Sequence, residues 1–223
     1  MVDPRAMIAL VGLLAVGLAP EVLRAAEDQD VVIVSSLSDP HARLRSTGKI
    51  VDYTGRELVL ELPSGSRRQY PAAQVLEIQT RHSAEQTAAD ELFARHQFAP
   101  ALAKYQQAIH GESRRWMGRQ MMARMVECAR ELGQVTQAGD YFLVLARDDP
   151  TTGFFRLIPL AWLGGEVRPE IEKKACQWLA RPESPAVLLG ASWLLGTTEQ
   201  SAALARLDSL TSSDDPSIAA LAE

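Results

Sequence analysis

The stretch HQFAPALAKY, residues 96–105, and the stretch LGQVTQAGDYF, residues 132–142, decide the fold. In the first stretch apolar side chains recur at the spacing of one helix face, and an earlier apolar stripe at residues 88–93 has the same period. Only His96 and Gln97 separate the two stripes, so we expect the two helices to fold back on each other. The second stretch repeats the order of small and large residues 37 positions later, which predicts a second helical hairpin.

This order of residues resembles the tetratricopeptide repeat (TPR), whose usual period is about 34 residues. Small residues at Ala101 and Ala138 let the helices of a hairpin approach closely. Large residues at Tyr105 and Phe142 fill the gap to the next helix. The matching positions are Ala89, His96, Phe98, Ala101, Tyr105 and Ala108 in the first copy and Val126, Gly133, Val135, Ala138, Phe142 and Pro150 in the second.

The resemblance implies a TPR-like array over residues 81–150 in which the first helix of each hairpin lines a concave groove. Such a groove binds an extended peptide or a partner helix. In this register the groove-lining residues are Gln86, Asp90 and Phe93 from the first copy and Gln120, Ala123, Glu127 and Arg130 from the second.

The densest basic stretch of the chain lies between the two copies and continues into the second. We expect its arginines to lie along a solvated helix face and to pair with carboxylates such as Glu112 and Glu127. Trp116, beside them, is predicted to anchor the core. The arginines are Arg114, Arg115, Arg119 and Arg124.

Residues 31–80 predict a small strand-rich module. Short β-branched and alternating runs are separated by turn residues such as Thr54-Gly55 and the segment 63–66. The strings at residues 48–62 and 71–78 resemble Sm-like or SH3-like barrels, which implies a closed antiparallel barrel. Some such barrels bind RNA, and Arg67, Arg68 and Tyr70 are a possible basic and aromatic site. Because the carboxylates of Glu57, Glu61 and Glu77 cancel that positive charge, we expect no nucleic-acid binding.

Residues 151–223 predict further helices. Ser184-Pro185 and Asp215-Pro216 each combine a capping side chain with a first-turn proline, 31 residues apart. Thr197 and Gln200 have the spacing of a capping box. This segment resembles HEAT-like repeats, and its last copy would stop in mid-helix at Glu223, so we expect either a short capping helix or a truncated repeat. The expected fold class is therefore α+β, mainly α: a small antiparallel β-barrel followed by an α–α superhelical array, TPR-like and then HEAT-like.

Residues 1–26 have the layout of a secretory signal peptide, with Arg5 before the apolar run 6–19 and Pro20 after it. The run is shorter than the roughly 20 residues that a spanning helix needs. We therefore expect export to the periplasm or cell envelope, with membrane contact only through an uncleaved N-terminal segment. The alternative is a buried N-terminal helix of a cytosolic protein.

The chain of 223 residues is 47% hydrophobic with a formal net charge of -5, which is enough to bury a core in one or two domains. Cys128 and Cys176 are too far apart for a redox pair or zinc ribbon, so we expect buried free thiols. The sequence contains no phosphate-binding loop, nucleophile elbow or HExxH pair, and we expect no enzyme, cofactor or metal.

Three functions remain open from the sequence. The first is an exported, non-catalytic interaction module that binds another protein or peptide at the cell envelope through the helical groove. The second is a structural spacer that positions the barrel or a missing domain. The third is an envelope hydrolase whose catalytic groups come together only in the folded chain.

Overall fold

The computed structural model describes residues 29–36, 42–162, 167–213 and 215–222. The predicted signal peptide, residues 1–26, lies outside the described residues. The first part of the fold is an antiparallel five-stranded sheet with strand order β4-β3-β2-β1-β5. Its strands are β1 (Asp30–Ser35), β2 (Arg43–Tyr53), β3 (Glu57–Glu61), β4 (Arg67–Pro71) and β5 (Val75–Gln79).

Alternation along the strands buries one face of this sheet. Leu58 and Leu60 are completely buried on β3, and Gly65 adopts a φ of 81° in the turn between β3 and β4. A left-handed φ of this kind favours glycine, which explains why the turn has a glycine at position 65. Within the described ranges β4 and β5 are the edges of an open sheet. The barrel expected from the sequence is therefore observed only as a five-stranded antiparallel sheet.

Two helical hairpins follow the sheet, and each has the predicted short turn. The first is α1 (Ala84–Ala94) with α2 (Phe98–Gly111), and the second is α3 (Arg115–Glu131) with α4 (Val135–Asp148). The side chain of Ser83 caps α1 by accepting a hydrogen bond from the Gln86 amide at 3.1 Å.

The two hairpins share one turn geometry. His96 has φ 58° and Gly133, 37 residues later, has φ 68°. The next amide donates back to the first helix in both hairpins, from Gln97 to Leu92 at 2.9 Å and from Gln134 to Ala129 at 2.8 Å. This hydrogen-bond pattern is that of a helix C-terminus capped by one residue in the left-handed conformation, the Schellman motif. The sequence similarity between the two copies therefore corresponds to the same local backbone.

Small and large residues occupy the predicted buried positions of the hairpins. Ala101 and Ala138 have no exposed surface, and neither do Tyr105 and Phe142. Trp116 is 2% exposed, which confirms its prediction as a core residue. The periodicity therefore identified the buried positions of α2 and α4, whereas on α3 two residues expected at the surface, Arg119 and Ala123, are buried.

Four further helices form the C-terminal part of the described chain, and two of their predicted starts differ from expectation. Glu183, not Ser184, is the N-cap residue of its helix. The predicted capping box between Thr197 and Gln200 is wrong. The Thr197 hydroxyl accepts a hydrogen bond from the Glu199 amide, and the helix begins only at Gln200. The helices are α5 (Pro169–Leu179), α6 (Ser184–Leu194), α7 (Gln200–Asp208) and α8 (Pro216–Ala222).

Helix α3 joins the two buried clusters of the described residues. One face of α3, from Trp116 and Met121 to Cys128, packs in the same cluster as the sheet and the first hairpin. Ala123 and Val126 belong instead to the cluster that includes α4 to α8. The sheet and the first hairpin thus share one core, and this places strand β5 beside the helices.

Candidate functional site

A groove of about 460 Å³ lies between strand β5 and helices α1 and α3. Its strand side is formed by Val75, Leu76, Glu77 and Ile78, and Leu76 is 50% exposed. Four residues of the predicted TPR-like groove line its helix side, namely Gln86, Asp90, Phe93 and Gln120. The structure therefore brings these four side chains into one concave surface.

The other three predicted groove residues lie outside this lining. Ala123 is buried in the core. Glu127 accepts a hydrogen bond from Arg124 at 2.9 Å, and Arg130 is exposed in the last turn of α3. The groove follows the N-terminal half of α3 because the sheet packs there, so its course departs from the one that the repeat register implied.

Asp90 is held at the centre of the helix side by two partners. The hydroxyl of Tyr105 donates to its Oδ1 at 2.6 Å, and Nδ1 of His82 lies 3.1 Å from its Oδ2. Burial and the hydrogen bond to Asp90 raise the pKa of Tyr105, so the phenol keeps its proton at neutral pH. The arrangement fixes the carboxylate in a defined position beside the groove.

His82 and Tyr105 were missed by sequence reasoning, which treated the helix faces one at a time. Their contacts to Asp90 join α1 to α2 and to the segment before α1. A histidine paired with a carboxylate can activate a nucleophile. Among the described residues the lining contains one aliphatic hydroxyl, that of Thr80, which donates to Asp30, and no serine or cysteine. The pair serves here to orient Asp90.

Arg124 connects the two helices across the groove. Its guanidinium lies 4.7 Å from the centre of the Phe93 ring, and its Nη1 donates to Glu127 at 2.9 Å. Glu127 neutralises the charge of this arginine locally. The Arg124–Glu127 pair also agrees with the sequence expectation for the basic stretch, as does the pair of Arg114 with Glu112 at 2.7 Å.

Two polar groups in the groove wall are buried without a hydrogen-bond partner among the described residues. Gln86 is 4% exposed, and its Nε2 donates to the sulfur of Met117 at 3.1 Å while its Oε1 has no donor. The indole Nε1–H of Trp116 has no acceptor. Leaving a buried donor or acceptor unpaired costs about 1–3 kcal/mol each, so these groups call for an explanation.

A second polar cluster connects the sheet to the helices. Arg119, which is 5% exposed, forms ion pairs with Asp52 and with Asp148, and donates to the carbonyl of Tyr53 at 2.9 Å. Burial opposes the ionised form of Asp148, but the hydrogen bonds from Arg115 and Arg119 outweigh it and lower its pKa. The Nε–H of Arg119 is buried without an acceptor among the described residues, whereas its Nη atoms bond both to the sheet and to Asp148. We interpret the cluster as a joint between the sheet and the helices.

The described residues contain no group of three metal-ligating His, Cys, Asp or Glu side chains. No helix within the described ranges is long and apolar enough to cross a bilayer. Both cysteines are free thiols, and burial raises the pKa of Cys128 to about 11. Cys176 is partly buried.

Comparison with protein-family models, with curated proteins and with solved structures finds no match to this chain.

Proposed function

We propose that the chain is an exported, non-catalytic protein-interaction module that binds another protein or peptide through the groove between β5, α1 and α3. The single observation that carries this proposal is the groove itself. It combines exposed apolar surface at Leu76 with buried polar groups at Gln86 and Trp116 that have no partner within the described chain. A ligand that supplied those partners would gain affinity from hydrogen bonds that the free chain lacks.

The common turn geometry of the two hairpins supports a TPR-like function for α1 to α4. Repeat arrays of this kind present a concave surface built from successive first helices. Here α1 and α3 are those first helices, and both line the groove. We further propose that α5 to α8 continue the stack in a HEAT-like manner.

The proposed compartment is the periplasm or cell envelope. It rests on the signal-peptide pattern of residues 1–26. The formal charge of -5 separately disfavours nucleic acid as a partner. Membrane contact would occur only through an uncleaved N-terminal segment. Fractionation of cells that express a C-terminally tagged full chain tests the compartment, and recovery in the cytosol would contradict it.

Site-specific photocrosslinking in cells tests the binding function. A photoreactive phenylalanine analogue replaces Phe93 in the groove or, as a control, Ala103, which is exposed on α2. We expect the Phe93 variant to give a discrete crosslinked protein that the Ala103 variant does not give. The same products from both positions, or none from Phe93, would contradict the proposal.

The Arg119 joint favours a second candidate function, a rigid spacer that holds the sheet at a fixed orientation. The amide of Gly55 also donates to Asp149 at 2.9 Å, which ties the β2–β3 turn to the end of α4. A pure spacer would keep its partner after charge reversal at Asp90, Glu127 and Arg130. Loss of the Phe93 crosslink after reversal at Asp90 alone would exclude this function.

A further inference from the structure

Strand β5 presents an unpaired edge to the groove. It pairs with β1 on one side only, and no strand pairs with its other side among the described residues. At its first residue the Val75 amide already donates to the Ala72 carbonyl. Four consecutive residues, Val75 to Ile78, line the groove. Because successive side chains of a strand point to opposite faces of the sheet, four consecutive lining residues show that the groove runs along the strand edge.

An exposed strand edge is a template for a further strand. The pairing of β5 with β1 has a bulge at Leu76, because Ile33 pairs with Glu77 and Val34 with Val75. Along the regular segment from Glu77 to Gln79, alternate residues direct their N–H and C=O to the open edge of the sheet. An extended peptide satisfies these groups, whereas a helix cannot because its own backbone groups are already paired. The edge therefore selects an extended ligand.

The helix side of the groove offers hydrogen-bonding groups to the same ligand. Oε1 of Gln86 is an acceptor and Nε1–H of Trp116 is a donor, and each is at least 96% buried. A peptide unit carries one donor and one acceptor, so its polarity matches this pair. Gln86 is held on its other side only by the weak acceptor Met117, whose flexible side chain can move to admit a ligand atom.

The charged residues of the groove indicate the charge of one side chain of the ligand. Glu77 on the strand side and Asp90 on the helix side have no lysine or arginine partner within the described residues. The one arginine of the lining, Arg124, is already paired with Glu127 at 2.9 Å. His82 is the one side chain among the described residues that can carry a positive charge next to Asp90, and Glu77 has no such neighbour in the contacts given above. A basic side chain of the ligand would therefore be attracted by both carboxylates.

We propose that the groove binds an extended peptide segment of another protein, which adds to β5 as a further antiparallel or parallel strand and places a lysine or arginine between Glu77 and Asp90. This inference rests on the proposed function and specifies its ligand. We do not propose a second copy paired edge to edge through β5, because registers that place Glu77 opposite Glu77 bring two carboxylates together.

The test begins with a phage-displayed library of random twelve-residue peptides, selected on the full chain. Selected peptides are synthesised with a fluorophore, and their affinity is measured by fluorescence anisotropy. Each peptide is then remade with single N-methylated residues, because an N-methyl group removes one backbone donor. We expect losses of affinity of about tenfold or more at every second position, and little effect at the positions between them.

Protein variants test the side-chain part of the proposal. Asp90→Asn keeps an acceptor for Tyr105 but removes the charge. Its matched control is Glu91→Gln at the next residue, whose carboxylate forms an exposed ion pair with Arg95 at 3.6 Å. We expect Asp90→Asn to weaken binding of lysine- or arginine-containing peptides several-fold, with a smaller effect at high salt. Glu91→Gln should leave the affinity unchanged.

Gln86→Met separates binding from folding. The substitution removes a buried acceptor that lacks a donor in the free chain, so we expect it to raise the melting temperature and to weaken peptide binding. Gln107→Met on the exposed face of α2 is the control and should change neither property. A lowered melting temperature with unchanged peptide affinity would contradict the role given to Gln86.

The outcomes distinguish this inference from the proposed function. A groove-specific crosslink at Phe93, combined with N-methyl effects that lack a two-residue period, overturns the extended-strand ligand alone. A selection that yields no peptide sensitive to Gln86→Met or Asp90→Asn also overturns it. If the full chain forms a concentration-dependent dimer that Leu76→Pro abolishes, the occupant is a second copy and the proposal is wrong.

Discussion

At the scale of single residues, Arg119 contributes most to the joint between sheet and helices. It contacts carboxylates on both sides of the joint, at Asp52 and Asp148, from a position that is 5% exposed. Arg115 contacts the same Asp148 but its side chain is 67% exposed. Arg115 and Arg119 can therefore be compared directly, because both contact Asp148 but only Arg119 is buried and also contacts the sheet.

We predict that Arg119→Met lowers the free energy of unfolding by about 3 kcal/mol, because it leaves two carboxylates without their buried partner. Arg115→Met should cost less than about 1 kcal/mol, as expected for an exposed ion pair. Urea denaturation of both variants measures these values. Equal losses would show that the joint does not depend on the buried arginine.

The carboxyl of Asp148 links this joint to pH. Its folded pKa lies below the ordinary value of 3.8, so the unfolded chain takes up the proton more readily than the folded one. The stability that ionised Asp148 contributes to the fold is fully present above its ordinary pKa of 3.8. This contribution is lost as the pH falls through the lower pKa of the folded state. Between about pH 5 and pH 2 we predict that Asp148→Asn loses less stability on acidification than the unsubstituted chain. Parallel pH profiles would refute this prediction.

Residue-scale contacts were only partly predictable. The pairs of Arg114 with Glu112 and of Arg124 with Glu127 join residues that are close in sequence, and both were expected. Placing Arg119 on a solvated face was wrong. Its partner Asp52 is distant in sequence, and no helical periodicity could show that the sheet covers that face of α3.

At the scale of elements, the two hairpin turns offer an internal comparison. His96 and Gly133 occupy equivalent left-handed positions with nearly the same φ. A side chain in this conformation costs about 1–2 kcal/mol, and glycine avoids that cost. One hairpin therefore retains strain that the other lacks.

We predict that His96→Gly raises the free energy of unfolding by about 0.5 kcal/mol, after the loss of its edge contact with Phe98, and that Gly133→Ala lowers it by about 1 kcal/mol. Chemical denaturation of the two variants provides the measurement. A gain on Gly133→Ala would mean that the turns are not equivalent.

The helices and strands were the most predictable elements, because their periodicity depends on burial alone. The turn between α1 and α2 was predicted to within one residue: the polar pair His96 and Gln97 separates the apolar stripes, and the observed turn also includes Arg95. The start of α7 was missed because Thr197 bonds within a preceding turn, where it donates to Leu194. Closure of the sheet depends on how its edges meet, and strand patterns do not specify this.

At the scale of the whole molecule, the shared core of sheet and first hairpin creates the groove. The repeat register identified the helix side of the groove, at Gln86, Asp90 and Phe93. The strand side at Leu76 and Glu77 could not be predicted, because it requires knowing where the sheet packs against α1 and α3. The candidate site thus combines residues of the sheet with residues of the helical hairpins, and these two parts are separate segments of the sequence.

Hydrogen–deuterium exchange of the full chain, with and without a selected peptide, tests the central claim most directly. We predict that saturating peptide slows amide exchange in β5 (Val75–Gln79), in α1 (Ala84–Ala94) and in residues 116–124 of α3, and leaves α7 (Gln200–Asp208) unchanged. Protection confined to α5 through α8, or protection of the helices without any change in β5, would contradict the claim that the groove between β5, α1 and α3 is the binding surface.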